Sequence, residues 1–123
     1  MTRSRASAKG AGTSHETKVA HYLAVWVDDR IERRARNGAK DRGDIGGLRH
    51  LGLRIVIECK DYAGRINAGP WLNEADIERG NDDAGVGIVV AKRARKTHPG
   101  DQIVMMTLRD LVALLTGERP TDE

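Results

Sequence analysis

Apolar residues recur along this chain with two different periods, and each change of period marks an element. Val19, Leu23, Trp26 and Val27 can share one side of a helix over about residues 14–27. Thr13-Ser14-His15-Glu16 matches a capping box at its start. Asp28 and Asp29 follow, and acids are disfavoured at a helix C-terminus, so the helix is expected to stop there. Residues 31–36 read as a short strand with a basic outward side, closed by the turn dipeptide Asn37-Gly38. Residues 43–48 read as a second strand and 53–60 as a third, joined by a connection over 49–52. The third, LRIVIECK, is rich in β-branched residues, with Ile55, Ile57 and Cys59 alternating against Val56, Glu58 and Lys60.

Beyond a glycine-containing loop, Pro70 suits the first turn of a helix running to about Asp83, although its apolar pattern is weak. GVGIVVAK reads as a buried strand of continuous hydrophobicity, and QIVMMT as another. Thr107 then caps a last helix in which Leu108, Leu111, Val112 and Leu115 fall at i, i+3, i+4 and i+7, and Gly117 ends it. The order α-β-β-β-α-β-β-α predicts an α/β domain, a mixed sheet flanked by helices. Residues 1–12, without an apolar cluster, read as a flexible basic arm. The domain then covers residues 13–117, and 118–123 form a C-terminal tail.

Composition narrows the chemistry. The chain has 123 residues, enough for one domain. Phe is absent and there are only two Trp and two Tyr, so the core has to come from Val, Ile, Leu and Ala. Trp71 is expected to pack rather than to stack on a base. Cys59 is the single cysteine, which excludes an intramolecular disulfide and a zinc knuckle. The four histidines lack HExxH spacing, and no G-K-[ST] follows Gly85-Val86-Gly87, so neither zinc nor a nucleotide cofactor is expected. No apolar run approaches the ~20 residues of a membrane helix. Together these predict a soluble, cytoplasmic protein.

Charge is uneven beneath a net of +3. Residues 30–65 carry ten basic and five acidic side chains, whereas 66–123 carry seven basic and ten acidic ones. Arg33, Arg34, Arg36, Lys40 and Arg42, with Arg3, Arg5 and Lys9 of the arm, are candidate phosphate contacts, because guanidinium forks suit phosphate oxygens. A solvated face explains such a run equally well.

What sharpens the picture is a set of acids inside this basic stretch. Glu58 and Lys60 share one strand face, about 6–7 Å apart, opposite the core-facing Cys59, so they must line a cleft or meet solvent. A hairpin can bring Asp44 beside Glu58. Two adjacent carboxylates repel unless something positive lies between them, and hard oxygen ligands suit Mg²⁺. The structural alternative is an ion pair between Glu58 and Lys60 with Asp44 capping a turn. Asp41 is the rival for the first acid, and Asp44 is preferred because an apolar residue follows it. Glu16 either closes the capping box or, sharing a helical side with Val19, Ala20 and Leu23, points inward.

Gly43-Asp44-Ile45 and Glu58-Cys59-Lys60, with thirteen residues between Asp44 and Glu58, resemble the signature of the PD-(D/E)XK nucleases. Glu16 on an upstream helix resembles the additional acid of the archaeal Holliday junction resolvase branch. The departure is Gly43, which stands where the signature has proline. The resemblance implies a restriction-endonuclease-like fold and a Mg²⁺-dependent DNA endonuclease, with Mn²⁺ able to substitute. Asp44, Glu58 and the Cys59 carbonyl would be the metal ligands, with Glu16 as a further acid and Lys60 as the catalytic lysine. It further implies a homodimer acting on branched double-stranded DNA and nicking four-way junctions symmetrically. The alternatives are a nuclease of the same superfamily acting on ends, flaps or damaged duplex, and a non-catalytic DNA-binding module.

Overall fold

The computed structural model describes residues 4–34 and 40–121. Its elements are α1 (Arg5–Trp26), β1 (Glu32–Arg33), β2 (Ile45–Gly46), β3 (Arg49–His50), β4 (Leu53–Lys60), α2 (Ala68–Asn81), β5 (Val86–Ala91), a 3₁₀ turn (Pro99–Asp101), β6 (Ile103–Met105) and α3 (Leu108–Thr116). The strands form one open sheet in the order β1-β2-β4-β5-β6, with β3 paired to the start of β4. Only β4 and β5 run parallel, joined through α2; the other pairs are antiparallel. This is the mixed α/β class expected from the element order.

β4 holds the sheet together because both of its faces are covered. Ile57 and Cys59 pack with Ile45, Val90 and the α1 residues Val19 and Ala20. Ile55 packs on the same face with Val86 and Ala113 of α3. On the opposite face, Val89 and Ala91 of β5 pack against Trp71 and Ala75 of α2, so Trp71 is a core residue, as expected. The β3–β4 turn runs through Leu51 and Gly52 at φ +50° and +82°. Positive φ at both central residues is what a two-residue hairpin turn needs to follow strand twist.

Two expectations are corrected. Residues 5–12 are not a flexible arm but the first turns of α1, whose N-cap is Ser4: its hydroxyl accepts from the Ser7 N–H at 3.0 Å. Alanine, lysine and arginine between Arg5 and Lys9 are good helix formers, so helix extends wherever a cap is on offer. Thr13–Glu16 therefore lies inside α1 and is not a capping box. Arg3 and Arg36 lie outside the described residues.

The second correction is the roll of α3. Thr107 and Gly117 cap it as expected, the threonine hydroxyl accepting from the Asp110 N–H at 3.1 Å and Gly117 adopting φ +78°. The apolar stripe, however, faces outward: Leu108 is 75% and Leu115 68% exposed, while Asp110 and Ala113 face the sheet. Asp110 sets this roll. Its carboxylate accepts from the Gly87 N–H at 3.2 Å and from Arg119 at 2.6 Å, anchoring the helix by a polar contact. The same Arg119 contact docks the start of the C-terminal tail.

Gly43 is a tight joint beside the site. It has φ +95°, and a Cβ there would lie 2.6 Å from Val56 Cγ1 and 3.1 Å from the Ile57 carbonyl oxygen. Only glycine fits that approach to β4, which is why no proline stands before Asp44. Gly43→Ala is expected to lower unfolding free energy by about 1–3 kcal/mol, read from the urea midpoint at unchanged m-value. An unchanged midpoint would contradict the packing described.

Candidate active site

Asp44 enters the sheet between β1 and β4. Its N–H donates to the Ile57 carbonyl at 2.8 Å, and its carbonyl accepts from Arg34 N–H at 2.7 Å. With the backbone stitched on both sides, the side chain is fixed, and its Oδ2 accepts from the Cys59 N–H at 2.8 Å. Asp41 takes a different part: its carboxylate accepts from the Gly43 N–H at 3.0 Å and shapes the turn that delivers Asp44. Asp44 is 4% exposed and Asp41 half-buried, so Asp44 is the acid carried into the interior.

Glu16, Asp44, Glu58, Cys59 and Lys60 all line one open cleft of about 850 Å³, together with Arg33, Tyr62 and Glu74. The sequence-predicted acids and lysine are thus brought together. Glu16, buried three turns into α1, is held by Arg33 Nε at 2.8 Å, which removes the capping role and leaves a paired carboxylate at the cleft wall. His15 beside it belongs to the core, bonded to the Val90 carbonyl at 3.0 Å.

Two acids went unnoticed in the sequence. Glu74 of α2 lines the same cleft and Glu78 is buried beside it, with one carboxylate oxygen from each within 4.8 Å of the other and of one from Glu58. Glu78 is 3% exposed. A signal existed: Trp71, Ala75 and Glu78 stand at i, i+4 and i+7, so a helix packing on Trp71 and Ala75 must also turn Glu78 inward. Lys60 Nζ is the local counter-charge, 2.5 Å from Glu74 Oε2 and 3.5 Å from Glu58 Oε1. Glu58 Oε2 and Glu78 Oε2 are buried with no hydrogen-bond donor except a proton that the two carboxyls share.

Proton affinities follow from this crowding. Burial, then the neighbouring Glu58, pushes Asp44 up to about 8, against the opposing Cys59 N–H. Burial and the adjacent Glu78 carboxyl push Glu58 up to about 9, with Lys60 opposing. Burial raises Glu78 to about 7, with Asp41 and Glu74 adding to it and the hydrogen bond with Glu58 opposing. For Lys60, burial acts downward but is outweighed by the Glu74 and Glu58 carboxylates, so its ammonium is held above the usual range. Burial likewise pushes the Cys59 thiol far up, which makes it inert as a nucleophile.

Such a site suits a cation. Asp44 and Glu58, with the Cys59 carbonyl, would offer hard oxygen donors, and the buried Glu58 oxygen without a donor suits a cation ligand. The residues present therefore fit Mg²⁺ or Mn²⁺.

The predicted phosphate contacts divide. Arg5, Lys9 and Lys40 are exposed, with Lys9 on the cleft rim. Arg34 instead bonds the Arg42 carbonyl at 2.7 Å and Asp82 at 3.2 Å, and Arg42 reaches Asp82 at 3.7 Å. These two tie the loop before Asp44 to the end of α2.

Metal-free stability is expected to depend on pH through this cluster. Asp44, Glu58 and Glu78 bind protons more tightly folded than unfolded. Their contribution is complete below about pH 4 and is lost as pH rises through the folded values of roughly 7 to 9. In chelator, the melting temperature should therefore fall from about pH 5 to about pH 9, and Glu58→Gln should melt higher than wild type at the alkaline end with a flatter slope. Parallel slopes in calorimetry would contradict the crowding.

No protein-family model matches this chain, and neither a curated protein nor a solved structure does, so its function has to be read from the side chains themselves.

Proposed function

We propose that this protein is a divalent-cation-dependent DNA endonuclease selective for branched structure, a Holliday junction resolvase acting as a homodimer. The observation that carries the reading is the convergence of Asp44, Glu58 and the Cys59 backbone on adjoining strands, with Lys60 and Glu16 in the same open cleft. Asp44, Glu58 and the Cys59 carbonyl would hold the ion, which when bound supplies polarisation of a phosphodiester and a bound water of lowered pKa. The protein's own part is positional and electrostatic. Lys60, kept cationic by its two glutamates, serves better to stabilise charge gathering on the phosphate than to abstract a proton. Glu16 holds Arg33 at the cleft wall, where a guanidinium can meet the backbone of the nucleic acid.

Among the described residues no segment is left over to read base edges in a groove, which favours recognition of backbone and shape. The outward stripe of α3 supports the dimer. Burying a large aliphatic side chain is worth about 1.5–3 kcal/mol, and Leu108 and Leu115 leave most of that contribution unused on one short helix, with Leu111 and Val112 partly open beside them. A two-fold contact through this face joins like to like and gives two active sites for paired nicks.

The test is cleavage of a synthetic four-way junction beside a matched linear duplex, with and without Mg²⁺. We expect Mg²⁺-dependent, symmetric, ligatable nicks in the junction, and junction binding that falls more steeply with salt than duplex binding, since more phosphates are engaged. Asp44→Asn and Glu58→Gln should cut at least about a hundredfold more slowly while binding junction as well as wild type, and Lys60→Ala should cut poorly with little loss of binding. Equal cutting of duplex and junction would leave a general nuclease, and metal-independent binding without cutting would leave a DNA-binding module.

The dimer has its own test. Leu115→Glu on the exposed stripe should yield a folded monomer by light scattering where wild type is a dimer. A monomeric wild type at assay concentration would remove the two-fold arrangement.

A further inference from the structure

We propose a second divalent-cation site on the α2 side of the cleft, held by Glu78 and Glu74 and sharing Glu58 with the site proposed above. It rests on that reading only through Glu58, and neither Glu74 nor Glu78 belongs to the acid-and-lysine set picked out from the sequence.

Three carboxylates converge so that one oxygen from each lies within 4.8 Å of the others. Among the described residues the ammonium in contact with them is Lys60 Nζ, which reaches Glu74 Oε2 and Glu58 Oε1. It leaves Glu58 Oε2 and Glu78 Oε2 buried and unpartnered, on residues 6% and 3% exposed. Two desolvated carboxylate oxygens without another donor take either a shared proton or a cation between them. A proton can serve one pair of oxygens, but it serves neither Glu74 nor the full set. A hard cation with several oxygen ligands and retained waters serves all three.

The backbone is arranged for this approach. Gly87 of β5 lies under α2, where a Cβ would sit 3.0 Å from the Ala75 carbonyl oxygen and 3.4 Å from Arg79 Cβ. The missing side chain lets α2 settle onto the sheet at Ala75, between Glu74 and Glu78. That close seating carries Glu78 down onto Glu58, which pairs with Val89 two residues along β5.

Lys60 then acquires a second part. Its ammonium stands in for a cation between Glu74 and Glu58, so an ion entering there displaces it. The released ammonium turns to the open cleft, where the scissile phosphate would lie. Cation binding at the second site would thus arm the lysine.

Mn²⁺ titration of the full chain without DNA, by calorimetry and by loss of the free-ion EPR signal, tests this at neutral pH. Wild type should bind two ions; Glu78→Gln and Asp44→Asn should each bind one, and the double variant none. Glu74→Gln, at a half-exposed position, should weaken one ion by about tenfold or more. Lys60→Ala should bind the ion that Glu78→Gln loses several-fold more tightly, since its competitor is gone. Thermal melts on every variant verify that each is folded. One ion in wild type, lost in Asp44→Asn and untouched by Glu78→Gln, overturns the second site and leaves the nuclease reading standing. Binding abolished by Glu78→Gln but unchanged in Asp44→Asn overturns the metal assignment at Asp44 and keeps the α2 site. No binding in wild type overturns both.

Discussion

Like charge forced into a small buried space is the constraint around which this structure is organised. Asp44, Glu58 and Glu78 are each almost fully buried, Glu74 lies beside them, and one lysine answers them. Desolvation disfavours each ionised carboxylate, and every neighbour of the same sign adds to the cost. A chain selected for stability alone would place apolar side chains at these positions, as it does at Val56 and Val89 on the same side of the sheet. Strain of this kind persists where the surrounding framework over-determines it.

That framework is built from small, stiff pieces. Asp44 is held by backbone bonds to two strands and by the Cys59 N–H, so it cannot retreat toward solvent. Gly43 and Gly87 remove the side chains that would otherwise push the Asp44 turn and α2 away from the sheet. Buried arginine contacts do the same from outside. Arg34 and Arg42 clamp onto Asp82 at the end of α2, and Arg33 clamps Glu16. Part of the basic stretch therefore neutralises buried acids, which explains how so many arginines coexist in a short segment without mutual repulsion dominating. Lys40 within the stretch and Lys9 on α1 stay exposed.

How much of this was legible in the sequence depends on which physical signal each feature leaves. β4 was plain, because eight consecutive residues of β-branched character have few other solutions. Asp44 beside Glu58 followed from a hairpin register that Ile45 opposite Ile57 bears out. The caps of α3 were plain too, since Thr107 and Gly117 act within one turn of chain. What failed were properties set by long-range contact. The start of α1 depends on Ser4 outcompeting an equally good cap motif nine residues later. The roll of α3 is decided by Asp110 reaching Gly87 and Arg119, a polar anchor that overrides an apolar stripe. Glu74 and Glu78 were hidden because the inward side of α2 is partly acidic, and a helix that covers a polar site has little hydrophobic periodicity to read. The weakness of that pattern was itself the signal.

The same charge arithmetic bears on how a polyanion could enter. The cleft is lined by Glu16, Asp41, Asp44, Glu58, Asp61 and Glu74 against Lys9, Arg33, Lys60 and Arg65, six acids to four bases. Two of the acids are already answered by Arg33 and Lys60. Once Asp44 and Glu58 ionise, a cation-free floor repels a phosphate even as the exposed lysines around it attract the rest of the backbone. On the proposed reading each divalent ion would add two positive charges at the floor and reverse that balance where the reacting phosphate would sit. On the proposed reading, cations therefore act before any chemistry, by deciding whether the phosphate reaches the floor or stays at the rim. On that reading, nucleic acid held only by exposed lysines would be bound but kept away from Lys60, so binding and cutting would be separable in a cleft of this composition.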